Sequence, residues 1–440
     1  MSIENKNLFP ITSNINKEGH LTIGGVSTVD LAKKYGTPLY IIDKETLLNK
    51  ANEYISSFKK HYNDFLILYA AKAFSATAIF KLVNSLGLGL DVVSGGELYS
   101  AMKSGFDFKN IFFHGNNKSK DEIELGIKND IGRIVCDNFY EIELLKELGK
   151  KHKKKINILL RLTPGIECHT HEYIKTGHLD SKFGFDLEHY EEALKSVSKS
   201  NTIKLKGLHA HIGSQIFEVT SYTDMINILL EQFKLTKEKY NIDLDELNIG
   251  GGIGIAYIKN DDPFIIDSWV KNIANSIKSK CHELNINQPR LICEPGRSLI
   301  GTSGITLYTT GSTKQVPDGR KYISVDGGMA DNPRPITYSA QYSAVVANKI
   351  NNKDTEKITI AGRYCESGDI LIKDIELPKI QTGDIIAVLG TGAYNYSMSS
   401  NYNMVPRPAC ILVDKGTAQI IIERETYDDL IAKHKIPANL

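Results

Sequence analysis

Between residues 65 and 300 the chain alternates short apolar runs with amphipathic stretches. Eight runs recur: FLILYAAKA (65–73), LGLDVVS (88–94), IFFHG (111–115), RIVCD (133–137), INILLRLTPG (156–165), LKGLHAHIGSQ (205–215), LNIGGG (247–252) and RLICEPG (290–296). Runs of this length without strict polar–apolar alternation suit strands buried on both faces, as parallel strands are. Between them SATAIFKLVNSLG (75–87), GELYSAMKSG (96–105), NFYEIELLKELGKK (138–151) and LEHYEEALKSVSKS (187–200) space their apolar residues as helices do, and residues 44–60 read as a helix leading in. Eight strand–helix units predict a (β/α)8 TIM barrel. A doubly wound open sheet shares the pattern and stays open as the alternative.

After residue 300 the texture changes. GITLYTTGSTKQ, KYISVDGG, KITIAGRYC, DIIAVLGTGAY, ACILVDKG and AQIIIERE are short, β-branched and punctuated by Gly or Asp turns. They predict a second, mostly antiparallel β domain. HLTIGGVST and TPLYIID near the start are strand-like too. The predicted division is a barrel over 44–300 and a discontinuous β domain over 1–43 and 301–440, and 440 residues suit two domains.

The polar residues of the barrel runs gather at one end: Lys72, Asp91, His114, Arg161, His211, the glycines 250–252 and Glu294. That is the C-terminal end, where barrel enzymes carry their chemistry. A lysine there can form a Schiff base if its amine is partly removed from water, or it can simply reach solvent. GGGIGI (250–255) offers close-approaching amides for an anion, or a tight turn; it is neither a dinucleotide fingerprint nor a Walker loop. His209 and His211 share a face, as do His169 and His171, yet no acidic residue or cysteine at ligand spacing completes a metal site, so no metal is expected. His211 can instead lie on an aromatic cofactor, and Ser214 can meet a phosphate. Glu294 can hold a proton on a ring nitrogen and Arg297 can clamp a carboxylate, or the two can pair with each other. Cys365, between polar neighbours in YCESGD, can be an acid or nucleophile, or merely a buried thiol.

Net charge, at +1, gives no pull toward nucleic acid or membrane. The dense basic run KHKKK (151–155) reads as a solvated loop. Six cysteines at 136, 168, 281, 293, 365 and 410 form no CxxC pair, which suits a reducing cytoplasm. The opening MSIENKNLFPITSNIN lacks the charge and apolar pattern of a secretory signal, and no run approaches membrane-spanning length.

Together YAAKA, HIGSQ, GGGIGI, EPGR, RPITY, CESGD and GAY resemble the alanine-racemase-like pyridoxal phosphate enzymes, and within them the diaminopimelate decarboxylase family. The likeness runs from YGTPLYIID (35–43) to GAYNYSMSSNYN (392–403), with HTHEYIKTGHLDSKFGF (169–185) especially characteristic; Ile336–Thr337 departs from the family pattern. The resemblance implies decarboxylation of meso-diaminopimelate to L-lysine with pyridoxal 5'-phosphate held covalently on Lys72. It further implies phosphate contacts from Gly251, Gly252, Ser214 and Tyr394, ring stacking by His211, and a protonated ring nitrogen on Glu294, with Asp91 and His114 in support. Cys365, from the partner subunit of a homodimer, would supply the proton. Glu366 would bind the distal amino group, and Arg297, Arg334 and Tyr338 the distal carboxylate. An ornithine, arginine or carboxynorspermidine decarboxylase, a racemase and an inactive decarboxylase-like binder are the alternatives. Arg334, a cation suited to a distal carboxylate, favours diaminopimelate.

Overall fold

The computed structural model describes residues 5–166, 181–317 and 319–440. Cys168, His169, His171 and most of the 169–185 motif lie outside the described residues. The chain divides into two compact units, residues 50–254 with 262–298, and residues 1–49 with 255–261 and 299–440.

In the first unit the eight apolar runs form strands Phe65–Ala70, Gly89–Val92, Ile111–Phe113, Arg133–Cys136, Ile156–Thr163, Ile203–His209, Glu246–Asn248 and Arg290–Cys293. Every pairing is parallel, and the last strand pairs with the first, which closes the barrel. Phe185–Asp186 adds a short parallel pairing outside Leu162–Thr163. Closure decides against the open sheet.

The period-2 rule orders the barrel interior into layers. Leu66, Leu68, Phe112, Val135, Leu159 and Ile292 form one buried apolar cluster. Two residues further along the same faces come His114, Asp137, Arg161 and Glu294, all buried. Below the cluster Arg133 makes a two-pronged contact with Glu246, at 2.7 and 2.6 Å. The opposite parity (Ile67, Tyr69, Leu90, Ile111, Phe113, Ile134, Ile158, Leu160 and Leu291) is buried as well. Burial on both faces explains why the runs do not alternate.

The predicted helices form as Lys44–His61, Thr77–Ser85, Gly95–Lys103, Phe139–His152 and Tyr190–Ser198. Ser94, Ser119 and Asn138 cap the helices they precede by accepting from the amide three residues on. Lys151 and His152 of the basic run close the helix Phe139–His152 rather than lie in a loop, and both pair with Glu124, at 2.8 and 2.7 Å. Lysines in a last turn answer the negative end of the helix dipole.

In the second unit the large sheet runs Ile370–Pro378, Thr355–Ala361, Lys321–Val325, Gly304–Gln315, Leu39–Asp43, Ala409–Asp414, Thr417–Ile422, with Ile385–Leu389 also on Gly304–Gln315 and Ala344–Val346 beyond it. Most pairings are antiparallel; Lys321–Val325 with Thr355–Ala361 and Ala409–Asp414 with Leu39–Asp43 are parallel. The run IIAVL feeds two cores: Ile385, Ala387 and Leu389 enter one, Ile386 and Val388 the other. A separate small sheet joins Asn14–Ile15, Leu21–Ile23 and Val26–Ser27. No helix among the described residues is long and apolar enough to cross a membrane.

Candidate active site

The C-terminal mouth of the barrel collects most of the expected residues of the first unit. Lys72 sits not on a strand but in the 3-10 turn Ala71–Ala73 just after Phe65–Ala70. Small residues are needed there: a Cβ on Gly296 would lie 3.0 Å from the Cβ of Ala70 and 3.1 Å from that of Ala73. The turn leaves the Lys72 amine 3.0 Å from Asp91 Oδ2, with Asp91 buried and the lysine side chain partly open. The second oxygen, Asp91 Oδ1, is buried without a hydrogen bond among the described residues and lies 3.6 Å from His114 Nε2.

Glu294 is the hub of the layer. Its Oε1 accepts from Asn248 Nδ2 at 2.6 Å and lies 2.9 Å from His114 Nε2, and its Oε2 faces His209 Nε2 at 3.3 Å. Burial alone would raise the carboxyl, but His114 and His209 outweigh it and hold Glu294 well below the usual carboxylate range. Burial pushes His209 down to about 4, so it is a neutral donor to that carboxylate. His209 was paired in sequence with His211; folding pairs it instead with His114 and Glu294, and these three offer ligand atoms within 4.8 Å of one another. The carboxylate oxygens of that trio are already engaged by Asn248 and His209.

The glycine run lies beside this hub. Gly250 and Gly252 have φ of 65° and 117°. A Cβ on Gly251 would stand 2.3 Å from the Glu294 carbonyl, and one on Gly252 2.7 Å from that of Gly213. Only glycine fits here. His211 Nδ1 accepts from the Gly251 amide at 3.2 Å, and burial, then Lys72 and Arg161, hold its imidazole neutral. Arg297 is buried, and its Nη2 donates to Ser214 Oγ at 2.9 Å rather than pairing with Glu294.

Sequence reasoning gave no role to Asn248 or Asp137. Asn248 joins Glu294 to the glycine run, because its Oδ1 accepts from Gly250 N at 2.9 Å. Asp137 lies 3.9 Å from Arg161, while the Arg161 guanidinium covers the Phe183 ring at 4.2 Å. An asparagine two residues before the first glycine of the triplet, at inward parity, was the available signal for Asn248.

The second unit holds the remaining candidates. Arg334 is buried on the short helix Arg334–Tyr338; its Nη1 donates to Tyr342 Oη at 2.6 Å, and its guanidinium lies 4.8 Å from the Tyr257 ring. Tyr338 ends that helix. Cys365 is exposed, as is Glu366, on the loop between Thr355–Ala361 and Ile370–Pro378. Tyr394 holds a φ of 62° after Gly390–Ala393.

Chemically, the barrel mouth joins an amine, a buried carboxylate with two imidazoles, a third imidazole and an anion-suited glycine turn. The model of the pyridoxal-dependent decarboxylases, pyridoxal binding domain, matches residues 48–301. The chain is 49% identical to a diaminopimelate decarboxylase of Synechocystis sp., over 99% of this chain and 94% of that one. It is 46% identical to that of Bacillus subtilis, over 96% of each. The crystal structure of diaminopimelate decarboxylase from M. jannaschii in co-complex with L-lysine superposes with a TM-score of 0.91 at 36% identity, covering 98% of this chain and 99% of that one.

Proposed function

Because this chain belongs to the diaminopimelate decarboxylase family of the pyridoxal-dependent decarboxylases, we propose that it converts meso-2,6-diaminopimelate to L-lysine and CO2, the last step of lysine biosynthesis, with pyridoxal 5'-phosphate. The observation that carries this reading is the Lys72 amine on buried Asp91, at 3.0 Å, beside His114, which also meets Glu294.

The residues fit such a cofactor. Asp91 Oδ1 is a buried acceptor without a donor among the described residues, and the glycine turn leaves room that a Cβ would fill. Lys72 would hold the aldehyde and Gly251, Gly252, Ser214 and Tyr394 the phosphate. The ring, when bound, takes up the electron pair left by departing CO2. Glu294, kept ionised by its neighbours, would hold a proton on the ring nitrogen, and neutral His211 would cover the ring face. Asp91 and His114 would orient Lys72 and Glu294. The resemblance places Arg297 on the substrate carboxylate; its contact with Ser214 supports a place on the phosphate side.

Arg334 and Tyr338 would bind the distal carboxylate, Glu366 the distal amino group, and Cys365, from a second copy in a homodimer, would return the proton to the substrate carbon. A buried arginine suits a carboxylate and not the terminal ammonium of ornithine, which favours diaminopimelate.

Protein supplemented with pyridoxal phosphate should absorb visibly, and borohydride should fix the label on the peptide containing Lys72. It should release CO2 from diaminopimelate in preference to ornithine. A colourless protein with no reducible adduct at that position, or a preference for ornithine, overturns the proposal.

A further inference from the structure

Cys365 poses a positioning problem. An exposed thiol on a loop has no packing of its own to fix it, yet a proton donor must reach one carbon and not its neighbour. The answer lies in two side chains that the sequence motifs contain but to which no role is attached. Asp369 is buried, at 3% exposure. Its Oδ2 accepts from the amide of Tyr364, the residue before Cys365, at 2.9 Å, and its Oδ1 accepts from the Met329 amide at 2.6 Å. The slot is closed to anything bulkier. A Cβ on Gly362 would stand 2.0 Å from Asp369 Oδ2, and one on Gly328 2.5 Å from Oδ1. From the other side, Asn403, in the left-handed region at φ 53°, accepts from the Cys365 amide at 3.1 Å; asparagine is among the few residues that tolerate that conformation. The Tyr364 side chain is buried, with its hydroxyl 3.4 Å from Asp331 Oδ1. Met329 lies five residues before Arg334, so the same carboxylate links the Cys365 loop to the segment leading to Arg334.

We infer that Asp369 and Asn403 are positioning residues that aim the Cys365 thiol, an inference that rests on the reading of Cys365 as proton donor. The cofactor, when bound, would supply a sink that shares the electron pair left by CO2 between the substrate carbon and its own aldehyde-derived carbon. A proton aimed at the substrate carbon would yield lysine and leave the cofactor as an aldehyde. A proton misdirected to the cofactor carbon would move two electrons from substrate to cofactor, and one water would then release the chain as an aldehyde and leave the cofactor in its amine form. Misdirected aim therefore changes the product, which loss of stability alone does not.

The test compares wild-type holoenzyme with D369N, which turns an acceptor into a donor facing an amide, and N403A, which removes an acceptor from an exposed position. Lysine, CO2 and amine-form cofactor are counted per turnover. Hydrogen exchange is followed in the cofactor-free proteins. Both variants should divert at least ten-fold more turnovers to amine-form cofactor than wild type. The amides of Tyr364 and Met329 in D369N, and of Cys365 in N403A, should exchange faster. Slower CO2 release with an unchanged product ratio, or unchanged exchange at those amides, overturns the inference. If D369N does not accumulate as folded protein, N403A decides by the same two readouts. Wild-type protein that releases no CO2 from diaminopimelate overturns instead the functional reading on which the inference rests.

Discussion

Asn248 Nδ2 donates to Glu294 Oε1 at 2.6 Å, while the Oδ1 of the same amide accepts from Gly250. One side chain thus fixes both the carboxylate proposed for the ring nitrogen and the turn proposed for the phosphate. A hydrogen bond to a buried charge contributes about 1.5–3 kcal/mol, so N248A should lower kcat/KM by about ten- to a hundred-fold. N248D should be worse, because it sets a second carboxylate against Glu294. CO2 release measured across substrate concentrations checks both, and a near wild-type N248D would remove Asn248 from the site.

At the other end of the barrel, Arg133 and Glu246 sit below the apolar cluster and make a two-pronged ion pair. Glu246 is buried and Arg133 partly so; breaking such a pair on one side strands a charge and costs up to about 3–5 kcal/mol, whereas replacing both partners with apolar residues is often neutral. E246A should therefore lose that much in denaturant unfolding, and the double variant R133M/E246L should recover most of it. A double variant as unstable as E246A would contradict the account.

The sequence pattern placed Lys72 and Glu294 at the barrel mouth, because each directly follows an apolar run, while their roles came only from the family resemblance. It did not show which of these residues meet. Asn248 and Glu294 are joined only because strands Glu246–Asn248 and Arg290–Cys293 are neighbours in register, and His209 finds His114 across the closed barrel interior. The buried pair of Lys118 and Glu141, 2.8 Å apart, escaped for the same reason: Lys118 precedes one helix, Glu141 lies in the next, and no local pattern couples them. In the β domain the strands were legible, but the bracing of Cys365 by Asp369 and Asn403 depends on loops far apart in the chain.

Arg334 lies between two tyrosines, donating to Tyr342 and facing the ring of Tyr257. Lysine keeps the charge but loses both the planar fork and the stacking surface. R334K should raise KM for diaminopimelate by about 30-fold, near 2 kcal/mol, with less than a ten-fold change in kcat, since binding is weakened alike in ground and transition states. Equal KM values for R334K and wild type would remove Arg334 from substrate recognition.

Asp331 is buried among Tyr40, Tyr308 and Tyr364, and burial pushes its carboxyl up to about 7. The folded protein therefore holds this proton more tightly than the unfolded chain does. The resulting stability is full below the unfolded value of 3.8 and is lost as pH rises through about 7, about 4 kcal/mol in all. D331N cannot ionise, so its melting temperature should exceed that of wild type at pH 8, exceed it by less at pH 5, and match it only near the unfolded value of 3.8. A variant that melts lower at pH 8 would show that the carboxylate form is the stabilising one.

His209 works in the opposite direction. Burial drives its imidazole from 6.5 down to about 4, so between those values the unfolded chain binds a proton that the folded barrel refuses. Stability is then lost as pH falls from about 6.5 to about 4, by about 3 kcal/mol. H209Q keeps a donor for Glu294 but has nothing to titrate. Urea unfolding at pH 7.5, 6 and 5 should give wild-type stability a slope across this window that exceeds the slope of H209Q by about one proton. Parallel curves would mean that His209 is already charged in the folded barrel, and Glu294 would then be half of a buried ion pair rather than a carboxylate held by a neutral donor.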